Sequence, residues 1–210
     1  FHSGEFLGLG ADGVEVAGLA QRRNVGFQRR GPLVLLGNLS LQRVHLLVQL
    51  ALFLGAQLLL DDLRSTFATT NTYLVGFSNG GGLAVHLSLT GLELAGVATV
   101  AAAVRATPDE IADARQPVDY LNIHGTFDDV VPFAGEQRSP YSGAEDGTTF
   151  GAPDVVAAFE RRNGDRALAE LIAVEGMGHE WPTGPWAARR GVDATDAILE
   201  FFGVEHNRAS

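Results

Sequence analysis

Apolar and polar positions change rhythm at about residue 61. From Val44 to Leu60 the chain is almost wholly apolar, with no charged residue and its apolar side chains spread nearly all round a helical wheel. That pattern predicts a buried helix. Asp61–Phe67 reads as the end of a helix. Beyond it, short β-rich runs alternate with amphipathic segments. Thr72–Val75 is a strand ending at Gly76, and Gly80–Leu89 is a helix. Within the apolar stretch Leu94–Val104 the strand falls at Gly96–Val100. Val118–Ile123 is a strand that ends at His124-Gly125. Pro153–Asn163 is a helix with Val155, Val156 and Phe159 inward and Gly164 as its stop. Leu168–Val174 is a further strand. Asp193 caps a final helix to Phe202, with Gly203 just past its end. Strands alternating with helices of this length predict an α/β fold with a mostly parallel sheet flanked by helices.

Composition narrows the chemistry. The 210 residues include no Cys, which excludes disulfides, thiolate metal sites and a Cys nucleophile. All 15 basic residues are Arg, so Schiff-base and Ser–Lys chemistry is excluded as well. A net charge of −10 argues against nucleic acid as a partner, because phosphate binding needs a basic surface. The charge is unevenly spread. Residues 1–60 carry three acids and five Arg, whereas residues 61–210 carry 22 acids and ten Arg. The expected organisation is one domain over 1–210, with an atypical Leu/Arg-rich segment at 1–60 and the chemistry in 61–210. Val44–Leu60 is too short and too polar for a membrane span, which wants ~20 apolar residues. Association of 44–60 with a membrane surface stays open. No signal peptide is visible.

Candidate chemistry lies at the strand ends. Gly76-Phe77-Ser78-Asn79-Gly80 is a G-x-S-x-G between a predicted strand and a predicted helix. A strand that reverses into a helix forces its turn residue into strained backbone and lifts a Ser hydroxyl above the sheet. A side chain at either Gly is expected to clash with neighbouring backbone. The Asn79 backbone N–H would face an oxyanion on the acyl carbon. A Ser hydroxyl needs a base and the base an orienting carboxylate. Of six His, His179 lies in a Gly-flanked loop after a strand and is the candidate base. His86 lies inside the helix after Ser78, on a rigid element pointing away from the elbow. His124 ends a strand and is either structural or near the site. Asp128 and Asp129 follow the His124-Gly125-Thr126 turn, giving the chain order Ser, Asp, His. No metal or cofactor is implied, since no ligand spacing or Asp-x-Asp-x-Asp-Gly loop is present.

The stretches VGFSNGGGLA (75–84), NIHGTFDDVVPF (122–133) and GMGHEWPTGPW (176–186) resemble the α/β-hydrolase serine esterases related to polyhydroxybutyrate depolymerases and feruloyl esterases. The resemblance covers about 140 residues, ~61–203. It implies an α/β-hydrolase fold and a triad of Ser78, Asp128 and His179, the HGTxD frame favouring Asp128 over Asp129. It implies a short acyl or aryl ester, small or polymeric, as substrate, and leans toward a secreted or cell-envelope location. It also implies Trp181 beside the substrate pocket, with Phe77 as a second pocket residue. Residues 1–57 do not match. The family's His-Gly strand end before the nucleophile is missing, and its nearest imitation is the run Pro32–Asn38, making Gly37 or Asn38 the candidate second oxyanion donor. Either this segment is a divergent minimal version of the fold or the chain is truncated or rearranged there. The alternative function is that of a catalytically impaired hydrolase-fold protein acting by binding or as a membrane-associated module.

Overall fold

A computed structural model describes residues 50–67, 71–136 and 148–204. All of them belong to one compact unit, Gln49–Ser210. Gly37, Asn38 and the run at 32–38 lie outside the described residues, as do 44–49 of the apolar stretch and the polar segment 137–147.

The unit is built on a four-stranded parallel sheet. Its strands are β1 (Tyr73–Phe77), β2 (Gly96–Val100), β3 (Asp119–Gly125) and β6 (Ala169–Val174), in the order β1-β2-β3-β6. Two short strands, β4 (Gly135–Glu136) and β5 (Thr149–Phe150), form a separate antiparallel pair. Parallel neighbours need a crossover on a face of the sheet. These are α2 (Asn79–Ser88) between β1 and β2, α3 (Pro108–Ala112) between β2 and β3, and α4 (Ala152–Asn163) before β6. After β6 come α5 (Gly184–Arg190) and α6 (Ala194–Phe201), and a helix α1 over 50–66 precedes the sheet.

Side chains along a strand alternate between faces, and the core divides accordingly. Val97 and Tyr120 pack with Val85 of α2, Ile111 of α3 and Val155 and Phe159 of α4. Ala98, Val100, Leu121 and Ile123 pack on the other face with Met177 and with Ala194 and Ile198 of α6. The result is an α/β fold with helices on both faces of a parallel sheet. The β2 residues are buried on both faces, which is why this strand reads as a continuous apolar run. Among the described residues β1 is an edge strand, and its Val75 and Phe77 are exposed.

Helix α1 departs from the buried helix that its apolar wheel predicts. Only Leu60 is buried, packed with Leu87 and Leu92. Leu58 and Leu59 are 69% and 59% exposed. A wheel apolar all round fixes no direction for burial, so one line of contact is all that packing requires of it. No helix among the described residues is long and apolar enough to cross a membrane.

Three elements escape the hydrophobic pattern because they are short. Helix α3 has five residues, but it carries a signal the periodicity misses: Thr107 accepts from the Glu110 backbone N–H while Glu110 reaches back to the Thr107 N–H, a complete capping box. Helix α5 and the β4–β5 pair are the other two.

Candidate active site

Ser78 sits where β1 turns into α2, with φ 53° and ψ −122°. A non-glycine residue at positive φ is strained, and such strain persists only where its surroundings hold it. Here the Ser78 N–H donates to Val100 O at 3.0 Å, and its carbonyl accepts from Gly82 and Ala103. Gly76 is required: a Cβ there would run into the backbone of Gly80 and Gly81. The expectation for Gly80 is corrected, because a Cβ there meets nothing within 4 Å. The glycines that admit no side chain are instead Gly81, against Ala102, and Gly82, against the Ala103 carbonyl. They let α2 lie close on the segment after β2.

Ser78 occupies the N-cap of α2, yet its side chain caps nothing. Its Oγ stands 3.0 Å from His179 Nε2. His179 Nδ1 in turn stands 2.8 Å from Asp128 Oδ2. An ionised carboxylate only accepts, so Nδ1 carries the hydrogen and Nε2 presents a lone pair to the Ser78 O–H. This is the tautomer a general base requires. Asp128 is fully buried, while the His179 side chain keeps 15% of its surface. Burying a carboxylate is costly unless its lone pairs are matched. Asp128 Oδ1 accepts from the Val130 and Val131 N–H groups at 3.0 and 2.8 Å. Asp129 is exposed, and its neighbour alone faces His179.

The acid and base loops are tied to each other. Thr126 N donates to Val174 O, Phe127 N to Met177 O and Gly176 N to Thr126 Oγ1. Gly125 lies so close to Met177 that no Cβ fits between them. Sequence reasoning did not find the Thr126 role; the signal was its place in the HGT turn.

Asn79 is the first residue of α2, so its backbone N–H belongs to the group that a helix leaves without an internal acceptor. The Asn79 side chain accepts from Arg105 Nη2 at 3.3 Å. Arg105 was not singled out by the sequence. The Phe77 ring lies 5.0 Å from the His179 ring and 6.5 Å from Trp181. Trp181 is anchored through Nε1–H to Thr195 Oγ1 at 3.3 Å. Phe77 thus stands against the base, and Trp181 stands against Phe77.

His124 lies directly behind the acid. It is 1% exposed, and its Nε2 is 2.9 Å from Val131 O and 3.3 Å from Asp128 Oδ2. Burial pulls its pKa below the ordinary 6.5, partly opposed by the Val131 carbonyl and the Asp128 charge. His86, in α2, makes no such contact with the triad. Among the described residues no group of three or more His, Asp and Glu is arranged to hold a metal ion.

No protein-family model matches this chain, and no curated protein does. Several solved structures are similar. SOBER1 of Arabidopsis thaliana is 18% identical over 74% of this chain and 63% of its own, with a TM-score of 0.45. Esterase PE8 is 23% identical over 73% of this chain and 65% of its own, also at 0.45. A predicted CIB-like hydrolase from Thermoplasma acidophilum is 20% identical over 69% of this chain and 54% of its own, at 0.39. In each case the match spans less than two thirds of the other chain's length. What the site can do follows from its own geometry.

Proposed function

We propose that this protein is a serine carboxylic ester hydrolase that works through an acyl-enzyme. The observation that carries the reading is the continuous relay from Ser78 Oγ through His179 to the buried Asp128, with hydrogen bonds of 3.0 and 2.8 Å. His179 Nε2 takes the Ser78 proton as Oγ attacks the ester carbonyl. The Asn79 N–H stabilises the oxyanion. His179 then returns the proton to the leaving alcohol, and water releases the acyl group by the same route. Asp128 holds the productive tautomer and stabilises the imidazolium. The chemistry asks nothing of a metal or cofactor.

The finer reading is a short-chain acyl or aryl ester, small or polymeric, as handled by polyhydroxybutyrate depolymerases and feruloyl esterases. The three motif stretches support it, as do the Phe77 ring against the base and the Trp181 ring against Phe77.

Hydrolysis of p-nitrophenyl acetate and butyrate by the protein and by Ser78→Ala, both matched for folding by circular dichroism, tests the proposal. Turnover by the protein and background rates for the variant are expected. Equal inactivity of two folded proteins would overturn it and put a binding role first.

A further inference from the structure

The Asp128 carboxylate has more donors than a triad acid needs to orient its base. Its Oδ1 accepts two backbone N–H groups, and its Oδ2 faces His179 Nδ1 at 2.8 Å and His124 Nε2 at 3.3 Å. The protonation of His124 follows from its partners. Val131 O is a carbonyl and can only accept, so at 2.9 Å Nε2 must carry a hydrogen. His124 Nδ1 is buried without a hydrogen-bond partner. A proton there would create a second N–H with nothing to receive it. The ring is therefore neutral; its one N–H donates to Val131 O, and Asp128 Oδ2 stands 3.3 Å from the same nitrogen. The edge of the ring is held against Phe133, with centroids 5.8 Å apart at 81°. The titratable groups that act on this ring are Asp128 and His179.

We propose that His124 is a positioning residue for the triad: its Nε2–H shares Asp128 Oδ2 with His179, and so sets both the aim of the carboxylate and how strongly it holds the base. This rests on the hydrolase reading above. His124 is buried behind Asp128 and touches neither Ser78 nor an incoming ester, so it acts through the acid alone. With the donor in place, part of the Oδ2 charge is spent on His124. Without it, the carboxylate offers that charge to His179 undivided. The imidazolium is then held more tightly, and the neutral base appears at higher pH.

Three variants test this. His124→Leu keeps apolar volume and removes the donor. His124→Gln carries an amide N–H that reaches as far as Nε2. His124→Asn is polar but stops short, and serves as the donor-free variant if the Leu side chain prevents folding. Two readouts are needed: the pH profile of kcat and KM with p-nitrophenyl butyrate, and the far-downfield proton resonance of the His179 Nδ1–H. The donor-free variant is expected to lose about tenfold or more in kcat, as misaimed catalytic groups do, with KM within about twofold. The acid limb of its kcat/KM profile moves up by roughly half a pH unit or more. The Gln variant recovers most of both. Equal losses in the Gln and donor-free variants, or lost kcat with an unmoved acid limb, would reduce His124 to a packing role and overturn the proposal. The resonance separates this from failure of the hydrolase reading. If the wild type turns over no ester, a His179 signal that shifts in the donor-free variant and returns with Gln still supports the shared hydrogen bond, and an unchanged signal refutes it.

Discussion

At the scale of single residues, the site depends on which polar atoms are left dry. Asp128 survives burial because every face of its carboxylate meets a donor. His124 survives burial by staying neutral, and that has a thermodynamic consequence. Its folded pKa is below the ordinary 6.5, so below that pH the unfolded chain binds more protons than the folded one. Stability from this residue is full above 6.5 and falls as the pH drops through it, by at most about 1.4 kcal/mol per pH unit. Urea midpoints at pH 7.5 and 5.5 are therefore expected to fall less for His124→Gln than for the natural chain. Equal slopes in the two proteins would show that the ring takes up its proton in the fold without cost. The glycines of the elbow show the same dependence on neighbours. Gly76 and Gly80 look equivalent in the sequence, but only Gly76 is pressed against backbone.

At the scale of elements, long periodic segments were legible and short or ambiguous ones were not. Strand β2 occupies the residues its apolar run predicts, and Asp193 caps α6 by accepting from the Thr195 and Asp196 N–H groups. Helix α3 is too short for periodicity, and its capping box was the signal to read. Helix α1 is the instructive failure. Its leucines are alike in the sequence but differ in surroundings. Leu60→Ala removes a side chain buried against Leu87 and Leu92 and is expected to cost about 2–3 kcal/mol. Leu58→Ala, at a position 69% exposed, is expected to change stability by less than about 0.5 kcal/mol. Urea denaturation of the two variants checks the contrast, and comparable losses would show that Leu58 is covered in solution. Elsewhere, Arg162 illustrates a role no motif announces. Its guanidinium is buried and donates to Gln116 O and to both oxygens of Ser88, tying α4 to the end of α2; burial lowers its pKa to about 10, so it remains charged at neutral pH.

At the scale of the whole molecule, charge sets the approach of substrate. The net charge is −10, and the segment carrying the proposed triad holds most of the acids. Such a field repels anions and is screened within ~10 Å at 0.1 M salt. For an ester with a free carboxylate, kcat/KM is expected to rise as ionic strength goes from about 20 to 200 mM, while that of neutral p-nitrophenyl butyrate stays level. A rise of equal size for both would assign the effect to the protein's own conformation rather than to steering.

By itself the sequence determined the α/β class, the four strands of the parallel sheet with helices α2, α4 and α6, and the three loops that carry Ser78, Asp128 and His179. Those features are local: hydrophobic period, glycine spacing and caps are properties of neighbouring residues. Only the tertiary structure decided which elbow glycine is obligatory, which leucine of α1 is buried and that His124 backs the acid. Each of these depends on what stands across from a residue, and residues 51 and 101 positions apart along the chain meet at the site only because a parallel sheet brings its strand ends to one edge.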